Sequence, residues 1–425
     1  MHTATVMEKQ GFRQLVKVRS YMMYMIAQTI SRFGDSLDSI AYSWMVYTLT
    51  GSEILMGSLF AINFLPGLMF SLMTGALVDR WSKKQVLILT YTGRGFFVTL
   101  TAILYALDQL HVWHLFVLTF MNSTLECFSR PAEVSLVPRL LPKEKLLAGN
   151  SFSSSVSRTA ELIGISVAGT FIAFIGMAGT IAIDALTFII SAIIIALIPN
   201  PEGSEGNHVT AQHPKGSQSA FNNVIGDMKE ALVFIYKDSL LLTTIFLGAF
   251  INFCLIPLNV LQPIYVRETL GGGAGGMSVL GTGLLIGMIT GGIWIGNYGG
   301  RFRKSALILL GTLLLAFGYM MMSLPAAISV GRMEVATVSM FISGFAVTLS
   351  STPFSTYLME VTPREMLGRI GALVSVICTA AMPIGSFLTG LAAQYSTPAI
   401  LYLVMGIVLI IPVIILLGKK SFWAI

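Results

Sequence analysis

The chain has 425 residues, of which 55% are hydrophobic and only 11% are charged, and its formal net charge is +6. A soluble globular domain carries charge on roughly 25% of its residues, so this chain has too few polar groups to cover a water-facing surface. Disorder is excluded as well, because disordered segments combine low hydrophobicity with high charge. The composition therefore predicts a chain that folds within lipid.

Twelve apolar runs follow one another along the chain, each with about the 20 residues that a helix needs to cross a bilayer. They are too long and too continuous for the strands of a membrane barrel. The sequence thus predicts an all-α membrane protein with twelve transmembrane helices. The predicted spans are Tyr21–Leu49, Ile54–Leu77, Val86–Leu107, Val112–Leu136, Asn150–Ile175, Met177–Ile198, Leu240–Val266, Ser278–Tyr298, Ala306–Leu324, Val335–Met359, Ile370–Ala393 and Ile400–Leu417.

Basic residues predict how these spans are oriented. With the N-terminus placed in the cytoplasm, twenty Lys and Arg residues fall on the cytoplasmic side and two, Arg267 and Arg332, on the other. This excess agrees with the positive-inside rule and predicts a cell-membrane protein with both termini in the cytoplasm. Contact with anionic lipid accounts for the net positive charge, so no nucleic-acid partner is expected.

A polar stretch separates the first six spans from the last six. Gly, Ser, Asn, His and Pro predominate from Pro199 to about Phe221, which predicts a flexible linker. The helical spacing of charged and apolar residues in 221–237 predicts an amphipathic helix on the inner membrane surface. We expect an N-terminal six-helix bundle at 1–199, a cytoplasmic linker at 200–239 and a C-terminal six-helix bundle at 240–425.

The two groups of six spans contain an internal repeat with an offset of 221 residues. Several matches fall in corresponding loops and spans, which indicates duplication. Both halves start on the same side, so they are expected to be parallel copies related about the membrane normal, around a central cavity. The matching positions are Gly75–Lys83 with Gly296–Lys304, Gly164 with Gly385 and Gly169 with Gly390.

These features resemble the major facilitator superfamily. The segment Gly75-Ala-Leu-Val-Asp79-Arg80-Trp-Ser-Lys83-Lys84 is similar to the signature of its 2–3 loop. Further segments resemble the macrolide-efflux and enterobactin-exporter-like branch: Gly34-Asp35-Ser36, Arg130-Pro131-Ala132, Ala148-Gly149-Asn150-Ser151 and Thr362-Pro363-Arg364-Glu365. The resemblance implies a secondary transporter that exports amphipathic compounds and is driven by inward proton movement.

The 2–3 loop is expected to act as a conformational latch. Asp79 can accept hydrogen bonds from a helix N-terminus and pair with Arg80. In the family this Asp meets the start of span 11, and a glycine nearby lets the helices approach closely. The alternative is that the basic residues only orient the loop. The residues expected in the latch are Gly75, Asp79, Arg80, Lys83, Lys84, Gly368 and Arg369.

Span 1 carries a polar stripe formed by Gln28, Arg32, Asp35, Asp38 and Tyr42, spaced so that all five lie on one helical face. Ions at the bilayer centre are costly unless they face a partner or an aqueous cavity, so the stripe is expected to point inward. Two carboxylates against one Arg leave one Asp without a cation, which favours its protonated form. We expect Asp35 or Asp38 to couple protons, or else the stripe to form a static ion-pair network.

Further charged residues lie within the first six spans. Glu126 lies deep in span 4 and is a third candidate for proton coupling, whereas Arg130 and Glu133 could belong to the latch. Arg158 and Glu161 are spaced as a helix-surface pair. The expected charge network consists of Arg32, Arg94, Arg130, Glu133, Arg158, Glu161 and Asp184.

The last six spans contain almost no ionisable residue at depth, but many Met, Phe and Tyr side chains. Such side chains adapt to varied shapes, which favours an apolar substrate wall in this half. Most of these residues could equally be ordinary packing or lipid-facing positions. Tyr42, Asn252, Asn259 and Gln262 are the polar candidates for contact with substrate.

Taken together, the sequence predicts a proton-coupled efflux transporter of small amphipathic compounds, such as drugs or siderophores, that works by alternating access as a monomer. Its expected partners are the substrate, protons and membrane lipid. An importer or uniporter of the same fold is the alternative, and an integral membrane enzyme is a further one. No phosphate-binding loop, zinc-protease motif or nucleophile triad is present in the sequence, so neither a cofactor nor a metal is expected.

Overall fold

A computed structural model describes residues 15–142, 145–199, 229–363, 366–419 and 422–423. Within these ranges, the side chains of 71–73, 75–76, 79–80, 147, 151, 367–368 and 372 are outside the description. Every regular element in the described part is helical, as predicted. The helices are α1 Arg19–Thr50, α2 Glu53–Arg80, α3 Lys83–Ala106, α4 Val112–Leu140, α5 Leu146–Leu197, α6 at 229–237, α7 Ser239–Val260, α8 Ala274–Tyr298, α9 Lys304–Met321, α10 Arg332–Val361, α11 Leu367–Ala393 and α12 Pro398–Leu417.

Helix α5 has a sharp break at Gly176, whose backbone angles are φ 75° and ψ 178°. This conformation is essentially restricted to glycine, because a Cβ would collide with the backbone. The break separates an N-terminal arm, 146–175, from a C-terminal arm, 177–197. The sequence places the boundary between its fifth and sixth apolar runs at the same residue.

Nine helices in the described part of the chain are long and apolar enough to cross a membrane, with α5 counted once. Helices α1 and α4, with 32 and 29 residues, are also long enough to cross a membrane but are not among the nine. Arg32, Asp35 and Asp38 lie in the middle of α1, and Glu126, Arg130 and Glu133 lie in the middle of α4. The two long helices outside the nine thus carry three of the seven residues of the predicted charge network, and α3 and α5 carry the others.

The contacts divide the chain into two compact units. The first unit contains α1, the part of α2 from Leu65 onward, and α3 to α5, whereas the second contains Ser52–Phe64 of α2 and α6 to α12. The division within α2 falls beside Pro66, which cannot donate a helical hydrogen bond. The boundaries predicted at 199 and 240 stay a prediction, since 200–228 lie outside the described residues.

Backbone contact through glycine explains why the start of α2 belongs to the second unit. A Cβ on Gly57 would overlap the carbonyl oxygen of Ser386 and lie 2.9 Å from the Cα of Gly390, both on α11. A Cβ on Gly390 would lie 2.6 Å from the carbonyl oxygen of Glu53. Small residues allow two helices to approach this closely in a membrane.

In the second unit, helix α10 packs between α8 and α9 through further glycines. A Cβ on Gly287 of α8 would overlap the carbonyl oxygen of Phe341, and one on Gly344 of α10 would overlap that of Leu284. On the other side of α10, a Cβ on Gly311 of α9 would overlap a serine hydroxyl. The three helices therefore meet backbone to backbone, so dispersion contacts stabilise them without a large side chain.

The sequence repeat is also present in the packing of the two units. Gly164 in the N-terminal arm of α5 faces the carbonyl oxygen of Phe33 in α1, at 2.8 Å from an ideal Cβ. Its repeat partner Gly385 in α11 faces the carbonyl oxygen of Phe253 in α7, at 3.3 Å from an ideal Cβ. Equivalent glycines thus hold equivalent helix pairs together.

The predicted amphipathic helix is described only from residue 229 onward, and 221–228 lie outside the described residues. Helix α6 ends at 237, and Asp238 caps the following helix, since its Oδ1 accepts hydrogen bonds from the amides of Leu240 and Leu241 at 2.9 and 3.0 Å. A cap of this kind satisfies amides that have no partner within the helix. The chain therefore passes from α6 to α7 through a capped helix start at Asp238.

Candidate functional site

A close contact between α1 and the C-terminal arm of α5 forms the base of the site. A methyl group on Gly34 would overlap Asp184 Oδ1 and Thr187 Oγ1. Ser191 Oγ, two turns after Asp184, donates a hydrogen bond to the carbonyl oxygen of Ala27 at 2.8 Å. Because Gly34 has no side chain, the backbone of α1 lies directly against the carboxylate of Asp184.

Around this contact the first unit brings together eight charged side chains, which we call the charged cluster. They come from four helices that are distant in sequence. The cluster consists of Arg32, Asp35 and Asp38 of α1, Arg94 of α3, Glu126, Arg130 and Glu133 of α4, and Asp184 of α5.

Arg94 connects α3 to three other helices. Its Nη2 lies 2.8 Å from Asp35 Oδ1 on α1, and its Nε donates a 3.0 Å hydrogen bond to Asn122 Oδ1 on α4. The guanidinium also lies over the ring of Phe188 in α5, 4.2 Å from the ring centroid. Only 8% of the Arg94 side chain is exposed, so this charge depends on these partners for solvation.

A second ion pair joins α1 to α4. Arg32 Nη2 lies 3.2 Å from Glu133 Oε2, and the Tyr91 hydroxyl donates a 2.9 Å hydrogen bond to Glu133 Oε1. Arg32 also lies 3.9 Å from Asp35, at the limit of an ion pair. Glu133 therefore belongs to the charged cluster, where it has a cation and a hydroxyl as partners.

Glu126 and Arg130 form a third pair within α4. Glu126 Oε1 accepts hydrogen bonds from Arg130 Nη2 and Nε at 2.7 and 3.0 Å. The residues are four apart, a spacing that aligns side chains on one helix face. Glu126 thus has a cation of its own, although the Arg130 side chain is 69% exposed.

Asp38 and Asp184 are the two carboxylates of the cluster that have no ion pair. In the described part of the chain, Asp38 Oδ1 is one of two buried side-chain polar atoms without a hydrogen-bond partner. Asp184 is 1% exposed, and its Oδ1 accepts a 3.3 Å hydrogen bond from Thr187. The cluster therefore contains two carboxylates that form no ion pair: Asp184, which is buried, and Asp38, which is half-buried with its Oδ1 inaccessible.

The polar stripe of α1 contacts neighbouring helices along its length. Ser153 donates a 2.8 Å hydrogen bond to Gln28 at one end of the stripe. At the other end, the Tyr42 hydroxyl lies 2.5 Å from Thr119 Oγ1 and 3.2 Å from the carbonyl oxygen of Leu115, both on α4. The stripe therefore packs against α4 and α5 inside the first unit.

The sequence does not reveal which cation neutralises which carboxylate. Within α1 alone, two carboxylates face one Arg, but α3 supplies Arg94 as the second cation, and Arg32 is shared with Glu133. Tyr91, Asn122 and Thr187 are partners that sequence reasoning missed. An Asn within an apolar helix is a usable signal for such a partner, whereas Tyr and Thr are too common in membrane helices to be informative.

Arg158 and Glu161 form a separate pair on the N-terminal arm of α5. Their charged atoms are 2.8 Å apart at a spacing of three residues, and the side chains are 61% and 34% exposed. The pair has the geometry of a helix-surface ion pair, which is worth little in stability. We assign it no part in the charged cluster.

The latch is only partly described. The surroundings of Gly75 and Gly368 and the side chains of Asp79 and Arg80 are outside the description. Lys83 Nζ donates to the carbonyl oxygen of Trp81 at 3.0 Å, and Lys84 Nζ donates to that of Ile198 at 2.7 Å. Arg369 lies 3.3 Å from Glu230 of α6. The latch therefore stays a prediction.

The candidates for the substrate wall divide between the units, with Tyr42 in the first and the other three in the second. Asn252 donates a 2.9 Å hydrogen bond to Gly248 of its own helix, and Gln262 donates a 3.4 Å bond to the carbonyl oxygen of Met277. Asn259 is exposed. Contact of these residues with substrate likewise stays a prediction.

Comparison with known proteins places this geometry in a family. The profile of the Major Facilitator Superfamily matches residues 24–385 and, again, 245–422. Macrolide efflux protein A of Streptococcus pyogenes is 25% identical over 386 residues, which cover 89% of this chain and 90% of that protein. Macrolide efflux protein A of Enterococcus faecalis is 26% identical over 336 residues, which cover 77% of this chain and 98% of that protein.

A solved structure has the same fold. The crystal structure of a mutant of the nucleoside transporter NupG superposes with a TM-score of 0.78, covering 95% of this chain and 99% of that one, at 10% sequence identity. The resemblance predicted from the loop signature and the repeat is confirmed by the family profile. The chain belongs to the Major Facilitator Superfamily and is a multi-pass membrane transporter of small molecules rather than an enzyme.

Proposed function

We propose that this transporter is a proton-coupled exporter of small amphipathic compounds in the cell membrane, and that it works as a monomer by alternating access with both termini in the cytoplasm. The observation that supports this proposal most directly is the environment of the Asp38 carboxylate. Its Oδ1 is buried and has no hydrogen-bond partner, although three cations lie in the same cluster. None of these cations forms an ion pair with Asp38, so its carboxylate is available to bind a proton.

The surroundings of Asp38 contain groups that act on its carboxylate in opposite directions. The ionised carboxylate is poorly hydrated and lies near Asp35, whereas the protonated form is neutral and tolerates an apolar site. Arg94 is close enough to favour the ionised form. Opposing influences of this kind are what a reversible proton carrier needs.

The proposed cycle uses this balance. A proton enters Asp38 while the cluster is accessible from the outside, and it leaves while the cluster is accessible from the cytoplasm. Arg32 and Asp35 keep 30% and 26% of their side chains exposed, so the cluster is not fully enclosed by protein. Substrate moves outward in the return step, so inward proton movement drives export.

Similarity to other proteins supports the substrate class. The relatives from Streptococcus pyogenes and Enterococcus faecalis are named for macrolide efflux. Macrolide antibiotics are amphipathic, which agrees with the class expected from the Met-rich and aromatic second half. An importer or uniporter of the same fold is the alternative, and the experiment below distinguishes it.

Proton exchange can be measured with purified protein in proteoliposomes that enclose a pH-sensitive dye and an acidic lumen. Addition of the macrolide erythromycin outside should raise the lumenal pH. Copies inserted inside-out have their cytoplasmic side towards the bath, so they carry drug into the lumen in exchange for lumenal protons. Labelled erythromycin should accumulate over the same period. Asp38→Asn should abolish the pH change, since an amide cannot carry a proton.

Glu334→Gln serves as the matched control for this variant. It makes the same change from carboxylate to amide at an exposed position in the first turn of α10, and coupling should persist. Entry of drug up to the external concentration without any pH change in the wild type would establish a uniporter instead. Intact coupling in Asp38→Asn would remove Asp38 as the proton carrier.

A further inference from the structure

The charge balance of the cluster singles out two residues. Each of the three cations has a carboxylate within ion-pair distance. The pairs are Arg32 with Glu133 at 3.2 Å, Arg94 with Asp35 at 2.8 Å and Arg130 with Glu126 at 2.7 Å. Among the described members of the cluster, Asp38 and Asp184 are left without a cation.

These two carboxylates lie at neighbouring positions in the contact between α1 and the C-terminal arm of α5. Gly34 is one helical turn before Asp38, and a methyl group at Gly34 would overlap Asp184 Oδ1. The carboxylate of Asp184 therefore rests on the backbone of α1 beside the turn that carries Asp38.

Neither carboxylate is well solvated when ionised. Asp38 Oδ1 has no partner, and the hydrogen bond that Asp184 Oδ1 accepts is a long one of 3.3 Å. The Thr187 hydroxyl that donates it lies 2.7 Å from the carbonyl oxygen of Asp184, which competes for the same proton. Two poorly hydrated negative charges at neighbouring positions of one helix contact are costly, so at least one of them is expected to hold a proton.

We propose that Asp38 and Asp184 form one proton-binding unit, in which ionisation of either residue favours protonation of the other. Its role in transport rests on the proposed function, but proton binding itself does not. The charged and titratable groups that face the pair are Asp35 and Tyr42 of α1 and Arg94 of α3. Asp184 thus becomes a second residue of the proton site, contributed by the C-terminal arm of α5.

Infrared spectroscopy of the purified protein in detergent tests the pair without substrate or gradient. Protonated carboxyls have a carbonyl band that disappears on ionisation. Because the chain has 20 Asp and Glu residues, the band of the pair is taken as the difference between the wild type and the double variant Asp38→Asn with Asp184→Asn. This difference band should be lost in two steps as the pH rises, because the second proton leaves against the charge created by the first. A single one-proton step in this difference band would overturn the pair, and the band of the folded double variant, confirmed by size-exclusion chromatography, provides the baseline.

Two variants test the mutual effect. Asp184→Asn should lower the pH at which the remaining Asp38 band is half lost by about one unit or more, because its negative neighbour is gone. Asp38→Asn should do the same for the Asp184 band. Glu334→Gln, the exposed control, should leave both steps unchanged. An unmoved midpoint in both variants would show that the residues titrate independently and would refute the proposal.

Sodium provides a further test, since two carboxylates could bind a metal cation instead. The titration should be the same in sodium chloride and in choline chloride. A shift of the midpoints that requires sodium would overturn the proton-binding unit in favour of a cation site. If the proteoliposomes show no proton exchange but the band is lost in two coupled steps, the pair stands and the proposed function fails. If proton exchange is present but the two steps are not coupled, the proposed function stands and the pair fails.

Discussion

Arg94 illustrates how one side chain organises the charged cluster. Its guanidinium contacts Asp35, Asn122 and Phe188, which belong to three different helices. Only 8% of the side chain is exposed. Removal of such a cation leaves a carboxylate unpaired in a poorly hydrated place, which is more costly than the loss of the attraction alone.

We therefore expect Arg94→Gln to lower the free energy of unfolding by about 3 kcal/mol, at the lower end of the range for broken buried pairs because Asp35 keeps some exposure. The double variant Arg94→Gln with Asp35→Asn should recover most of that loss, since no unpaired charge remains. Thermal unfolding of the purified protein in detergent measures both effects.

Arg158→Gln is the matched control, because it breaks an exposed pair by the same change of side chain. Its cost should stay below about 1 kcal/mol. Equal losses for Arg94→Gln and Arg158→Gln would show that Arg94 has no special role in holding the helices together.

The identity of the charged residues could be predicted from the sequence, whereas their pairing could not. Spacing within one helix places Glu126 on the same face as Arg130, and that pair is present. Arg32 has Asp35 at an equally suitable spacing, yet its shorter contact is with Glu133 on another helix. Local spacing describes which side chains can meet within a helix, but contact across helices depends on packing that the pattern does not contain.

At the scale of whole helices, α8 and α10 lie so close together that their contact requires glycine. A Cβ on Gly287 would overlap Phe341 O and lie 2.9 Å from the amide nitrogen of Phe345. These neighbours are backbone atoms, which cannot rotate away as a side chain would. The two helices must therefore separate if Gly287 gains a side chain.

Gly287→Ala should consequently destabilise the second unit by about 3 kcal/mol, the upper part of the usual range for overpacking. Gly296→Ala provides the comparison on the same helix, since nothing lies within 4 Å of its ideal Cβ. That change should be neutral or stabilise by up to about 1 kcal/mol through helix propensity. Thermal unfolding of both variants, with folded yield after size-exclusion chromatography, decides the matter. Equal stability of the two would contradict this packing.

Helix α5 shows the limits of apolar patterning at the same scale. The change from one apolar run to the next at Gly176 is visible in the sequence, and the structure has a break at that residue. The two arms nevertheless have different partners, because Gly164 faces α1 at Phe33 while Asp184 meets α1 at Gly34 on a different helix face. Patterning indicates where a helix ends, and packing determines which neighbour it contacts.

At the scale of the whole molecule, the distribution of basic residues predicts which loops face the cytoplasm. Lys237 lies at the end of α6, next to the expected inner surface, and Gln109 lies between α3 and α4 on the expected outer side. Both side chains are exposed. They are therefore suitable positions for reporting orientation.

A variant that lacks the three native cysteines and carries Gln109→Cys should react with a membrane-impermeant maleimide in intact cells. The equivalent variant with Lys237→Cys should react only after the cells are permeabilised, because the positive-inside rule places that loop in the cytoplasm. The opposite labelling pattern would reverse the assigned topology, and with it the direction in which the proposed proton cycle runs.

The sequence by itself determined the class of protein, the position of the helices and the family. Hydrophobicity, run length and the repeated loop motif are local or periodic properties, so they can be read without knowledge of contacts. It also determined which helices carry charge, since an ion within an apolar run is visible wherever the run lies.

Only the tertiary structure decided which carboxylates remain without a cation. Arg94 is 59 residues from Asp35, and Arg32 is 101 residues from Glu133, so these pairs exist because α1, α3 and α4 pack together. Asp184 reaches the same place because Gly34 has no side chain to keep α5 away. Neutralisation of a buried charge depends on distances of a few ångströms across helices, and these arise from packing rather than from the order of residues along the chain.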